Sequence, residues 1–135
     1  MLVEYKPVAG GTYALLFDES AGAGNERFNP QFRDNVMKPG GYGAASSPKI
    51  PLNNTLGTIT FKWNANYDTA DLAKASIRAL RAALKGVPVH LQVTQGTDVD
   101  YYPNAILSQS SHEIYGREAI HTLTFETDDV TATAP

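Results

Sequence analysis

The sequence predicts a mainly β, α+β fold: an antiparallel β-sandwich or barrel-like sheet with one flanking amphipathic helix. Apolar and polar residues alternate over residues 56–63, 87–94 and 118–127, the period expected of half-buried strands. Between the first two runs, residues 68–86 carry apolar positions at helical spacing, with capping residues at both ends. The strands after this helix succeed one another at hairpin distance, which favours antiparallel order.

Taken in order, Thr12, Tyr13, Ala14, Leu15, Leu16 and Phe17 form a run of strand formers behind Gly10 and Gly11, and are read as a buried strand. Residues 20–54 differ in texture. Asn29-Pro30, Pro39-Gly40-Gly41 and Ser46-Ser47-Pro48 are dense turn signals, so this segment is expected to be a long irregular loop or arm. It carries anchors: Arg27, Phe28, Phe32, Arg33, Val36, Met37 and Tyr42 are the aromatic, Met and Arg mixture enriched at protein interfaces. They are therefore candidates for a subunit interface, the alternative being that they fold back onto their own core.

Gly57, Ile59, Phe61 and Trp63 share one face of the next strand, and Thr58, Thr60 and Lys62 the other. Asp68 or Thr69 can cap the helix that follows, Asp71 adds favourable charge in its first turn, and Gly86 ends it. Leu72, Ile77, Leu80 and Leu84 fall on one arc of that helix with Ala73, Ser76 and Ala83 between them. Lys74, Arg78, Arg81 and Lys85 make a basic stripe beside the arc, facing either solvent or an acidic neighbour such as Asp98, Asp100, Asp128 or Asp129 of another copy.

Val87, Val89, Leu91 and Val93 then mark a strand, and Gln95-Gly96-Thr97-Asp98 a tight turn. Residues 101–108 form a strand that Pro103 places at an edge or a bulge, since proline has no amide hydrogen to donate. A polar hairpin bend is expected around Ser110, Ser111, His112 and Glu113. In the last strand Ala119, His121, Leu123 and Phe125 lie opposite Ile120, Thr122, Thr124 and Glu126. The tail over residues 128–135 is small and polar, and is expected to be flexible.

The 135 residues suit a single domain, and the net charge of −3 gives no general attraction for nucleic acid or an anionic membrane. The absence of cysteine excludes disulfides, thiolate zinc sites and cysteine nucleophiles. There is neither a basic start followed by an apolar run nor an apolar stretch near the roughly 20 residues that span a bilayer, so the chain is expected to be soluble and made in the cytoplasm. Phosphate-binding loops, nucleophile elbows and zinc-protease motifs are absent. His90 and His121 become neighbours only if their strands pair, and two histidines leave a zinc site incomplete. No cofactor, metal or catalytic residue is therefore assigned. Two other readings stand beside assembly: a small ligand- or carbohydrate-binding β-domain using Trp63, Tyr101 and Tyr102, and an enzyme using His112, Glu113 and Asp100 as acid and base groups.

The runs Gly57-Thr-Ile-Thr-Phe-Lys-Trp63, Val89-His-Leu-Gln-Val93, Tyr102-Pro-Asn-Ala-Ile-Leu107 and His121-Thr-Leu-Thr-Phe-Glu126, with the helix after the first, are similar in order and texture to tail-tube and distal-tail proteins of long-tailed bacteriophages. The resemblance covers about residues 56–127. It implies a β-sandwich flanked by a helix, and a virion structural protein rather than an enzyme. It further implies a homo-oligomeric ring, typically a hexamer, that contacts adjacent tail proteins. Genome DNA would pass through its channel without sequence-specific binding, and the chain would be made in the host cytoplasm for the virion tail. Residues 27–50 would be the arm reaching a neighbour. The short chain and the irregular sequence before its central strand depart from the tube pattern, leaving tube, distal-tail, terminator and adaptor stations open.

Overall fold

A computed structural model describes residues 1–21, 24–37 and 50–135. The chain forms β1 (Leu2–Pro7), β2 (Ala14–Asp18), a 3-10 turn (Glu19–Ala21), β3 (Gly24–Met37), β4 (Ile50–Asn66), helix α1 (Ala70–Leu84), β5 (Val89–Gln95), β6 (Asp98–Tyr115) and β7 (Glu118–Thr127). The strands make a seven-stranded sheet of order β2-β1-β5-β6-β7-β4-β3, antiparallel at every pairing. The β-rich class with one helix is thus the one the alternating patterns predict.

The sheet folds over on itself at β6. Residues from Asp98 to Ala105 pair with β5, and those from Ile106 to Tyr115 pair with β7. Pro103 cannot donate to a ladder, Asn104 takes a left-handed φ of 53°, and the register with β5 slips there. A second slip follows between Leu107 and Gln109. Such bulges bend a strand and increase its twist, which lets β6 leave one half of the sheet and enter the other. The two halves then close face to face. Val3, Phe17, Leu91 and Tyr102 from one half meet Ile59, Phe61, Trp63, Leu123 and Phe125 from the other in a common core. Phe17 stacks on Trp63 at 4.7 Å and meets Phe61 edge-on at 5.9 Å, tying the β2 side directly to β4.

Several sequence expectations need correction. Residues 24–37 and 50–54, expected within an irregular arm, belong to β3 and the start of β4. Their Gly, Asn and Pro are poor strand formers, but a long partner decides the matter: Phe28 faces Phe61, Pro30 faces Ile59 and Phe32 faces Gly57. Pro30 is tolerated because β3 is the sheet edge. The bend expected around His112 is instead extended strand. The chain turns at Gly116, with φ +61°, and Arg117. The C-terminal tail is tied down at its start: Thr131 exchanges backbone hydrogen bonds of 2.9 and 2.8 Å with Tyr101, and the Asp128 amide donates to the Pro103 carbonyl at 3.0 Å.

Helix α1 lies within the predicted span. The Thr69 hydroxyl accepts from the Leu72 amide at 3.2 Å, and Gly86, at φ +70°, supplies the left-handed residue beyond its end. It rests on β6 and β7, the part of the sheet that the β1–β5 half leaves uncovered. Ala73 and Leu84 are buried, and Leu80 and Ala83 pack against the core. Leu72, at the margin of the apolar arc, remains 50% exposed.

Candidate functional site

Two strand edges border the β3-β4-β7-β6 half of the sheet. Among the described residues, β3 pairs only with β4, and residues from Ile106 to Tyr115 of β6 pair only with β7. The sequence-assigned interface residues distribute along the first of these edges. Arg27, Phe32 and Arg33 are exposed, whereas Phe28 turns inward, stacking on Phe61 at 5.4 Å and meeting Tyr102 edge-on at 6.4 Å. Phe32 lies parallel to Tyr102 at 6.5 Å and across Gly57, where a Cβ would come within 3.0 Å of its ring and 2.7 Å of the Thr127 hydroxyl. Val36 and Met37 are placed opposite Pro51 and Ile50. Tyr42 lies outside the described residues. Phe28 packs against the core, so β3 is an edge strand of the sheet.

The basic stripe is only partly free. Arg81 donates to the Ser110 hydroxyl at 3.1 Å, anchoring the helix to β6. Lys74, Arg78 and Lys85 are exposed, and none of them makes an ion pair among the described residues.

Beneath the helix lies a feature that sequence reasoning missed. His112 and His121 face each other across β6 and β7, with their Nδ1 atoms 2.7 Å apart. The Ser76 hydroxyl donates to the Ala73 carbonyl at 2.5 Å, so toward His121 Nε2, 3.3 Å away, it acts as acceptor. That puts a proton on His121 Nε2 and leaves its Nδ1 to accept the His112 Nδ1–H. The Tyr67 hydroxyl stands 3.4 Å from the same Nε2, and Trp63 is 5.3 Å from the imidazole, centroid to centroid. His112 Nε2 is buried and without a partner among the described residues.

Burial, and secondarily the neighbouring His112, push the His121 pKa down to about 4. His112 is also lowered, by burial and then by Arg81. The cluster is a neutral polar latch between helix and sheet. Pattern alone could place His121 on the buried face, but its partner depends on the register after the β6 bulge. His90, considered as its neighbour, is separated from it by β6 and accepts the Asn104 amide at 3.2 Å.

An open cleft of about 260 Å³ adjoins this latch, lined by Tyr5, Leu15, Trp63, Tyr67, Leu80 and His121 among others. The ring platform of the ligand-binding reading does not exist, because Trp63 and Tyr102 are each only 3% exposed and form part of the core. Nor are the groups of the enzyme reading assembled. His112 points at His121, Glu113 accepts the Tyr115 hydroxyl at 2.9 Å, and Asp100 belongs to the other half of β6. Among the described residues, no group of three or more His, Cys, Asp or Glu side chains could hold a metal.

No family model and no curated protein matches the chain. Solved structures do. A chain from the tail of an empty gene transfer agent particle with C6 symmetry superposes with a TM-score of 0.56 at 12% identity, covering 98% of this chain and 95% of that one. A chain from the virion of a native gene transfer agent particle gives a TM-score of 0.53 at 12% identity, with the same coverage of 98% and 95%. At these identities the likeness is one of fold, and it extends over nearly the full length of each chain.

Proposed function

We propose that the chain is a structural, non-enzymatic subunit of a bacteriophage-like tail, built into a ring of its own copies that contacts adjacent tail proteins. The observation that carries this reading is its near-full-length likeness to a chain of an assembled gene transfer agent tail. The sixfold symmetry of that tail favours a hexamer. The two free edges of the β3-β4-β7-β6 half support the same reading. An unpaired edge invites uncontrolled aggregation, whereas a closed ring of identical contacts covers every edge. In such a ring, genome DNA passes through the channel without base-specific contacts, and the net charge of −3 lets it slide. The site of action is then the virion tail, after synthesis in the host cytoplasm.

The test is light scattering coupled to size exclusion on the full chain, followed by negative-stain imaging. Rings or short tubes are expected. Charge reversal at exposed β3 positions, Arg27→Glu with Arg33→Glu, should reduce their number while leaving the circular dichroism spectrum unchanged. A chain that stays monomeric at high concentration and shows no rings overturns the reading.

A further inference from the structure

The helix surface left bare by the fold is predominantly basic, and its complement lies elsewhere on the same chain. Lys74, Arg78 and Lys85 are exposed on α1 and make no ion pair among the described residues. Asp71, in the first turn, is the only acidic residue of the helix. The acids at the nearby hairpin end, Glu113 and Glu118, accept hydrogen bonds from Tyr115 and, at 3.3 Å, from Asn64, and form no ion pair with the helix among the described residues.

Asp98 and Asp100 stand at the far end of β6, beside the segment that Thr131 ties to Tyr101. That segment runs antiparallel back along β6 and sets Asp128 and Asp129 beside Asn104 and Pro103, about five residues (~17 Å) along the strand from Asp98, with Asn104 donating to Asp128 at 2.6 Å. Beyond Lys85, Arg117 is the sole Lys or Arg of the sequence, and it sits on the opposite hairpin turn. This end of β6 is therefore an acidic corner without an internal counter-charge on the strands that build it. Arg81 meets β6 at Ser110, and Asp98 is twelve residues back along that strand, about 40 Å of extended chain at about 3.3 Å per residue. Even with β6 bent, that exceeds the screening length of about 8 Å at physiological salt. Lys74 and Arg78, which precede Arg81 on the helix, therefore stand well beyond a screening length from Asp98 of the same molecule.

We infer that the exposed basic face of α1 docks on the acidic corner of a second copy of this chain, Lys74, Arg78 and Lys85 meeting Asp98, Asp100 and Asp129. Each copy presents both surfaces at different places, so the contact is head-to-tail and propagates from copy to copy, as a heterologous interface does. Complementary charge of this kind fixes orientation and speeds encounter, and it is weakened by salt. The inference rests on the assembly reading above and names one of its contacts.

The experiment uses the full-length chain and two variants, Lys74→Glu/Arg78→Glu/Lys85→Glu and Asp98→Lys/Asp100→Lys/Asp129→Lys. Each variant places like charges across the contact, and self-association measured by light scattering should weaken at least about tenfold. Wild-type assembly should also weaken when salt is raised from about 0.1 M to about 1 M, where the screening length falls from about 10 to about 3 Å. The decisive sample is an equimolar mixture of the variants, in which each reversed helix finds a reversed corner. Restored assembly in the mixture establishes the contact and shows that both variants are folded. If the mixture stays dissociated, or if either variant assembles as the wild type does, the contact is wrong while the ring reading stands. A wild type that never assembles overturns both.

Discussion

His121 is the residue whose chemistry the fold alters most. Its imidazole is buried between Ser76, Tyr67 and His112 and is held neutral, with a pKa near 4 against 6.5 when unfolded. Because the folded value is depressed, the unfolded chain binds the proton first as pH falls, so stability is full above about 6.5 and declines toward about 4. The decline should amount to about 2 kcal/mol once partial solvent screening is allowed for. Urea unfolding between these limits checks it, and the double variant His112→Leu/His121→Leu should flatten the profile. Gly57 supplies a second residue-level test. A methyl group there meets both Phe32 and Thr127, so Gly57→Ala should cost about 1–3 kcal/mol by overpacking, measured as a lower urea midpoint at unchanged slope. The inward position of Gly57 was readable from its alternation with Ile59 and Phe61. That Phe32 lies across it was not, because the pairing depends on where β3 begins its register.

At the scale of elements, α1 was the most legible. Its span, its capping Thr69 and its closing Gly86 all follow from local chemistry that no distant contact overrides. Thr69→Ala leaves the Leu72 amide without its acceptor and should destabilise the domain by about 1 kcal/mol, seen as a reduced melting temperature with little change in helical signal. β3 was the least legible element. Asn25, Asn29, Pro30, Asp34 and Asn35 individually argue against a strand, and only the register with β4 makes one of them. The same residues suit an edge, where proline and charge discourage pairing with the wrong partner. The mixture of aromatic and Arg residues that marked this segment as a docking surface resolves into two faces: Phe28 serves the core, and Arg27 and Arg33 are exposed.

For the whole molecule, the class was legible because it rests on patterns of period two and on one amphipathic helix, both local. The closure of the sheet was not. It depends on the bend in β6, for which Pro103 was the sole sequence signal, and on contacts such as Phe17 with Trp63 between residues far apart in the chain. The candidate assembly surfaces stand in the same relation: charge and residue type were visible in the sequence, but only the fold shows that the basic helix and the acidic corner belong to different places.

The membership of β6 in both halves also constrains the order of events when the chain folds. β5, β6 and β7 form a meander closed by the short turns at Gly96-Thr97 and Gly116-Arg117, so their pairing needs only short loops. By contrast, β1 must find β5 across most of the chain, with Leu2 opposite Thr94, and long loops close at greater entropic cost. The meander should therefore be formed in the rate-limiting step, and β1 should dock afterwards. Chevron kinetics check this: Leu91→Ala and Leu123→Ala should chiefly slow folding, while Val3→Ala should chiefly hasten unfolding. A nascent chain would accordingly wait for its last hairpin before its β1–β2 hairpin has a sheet to join.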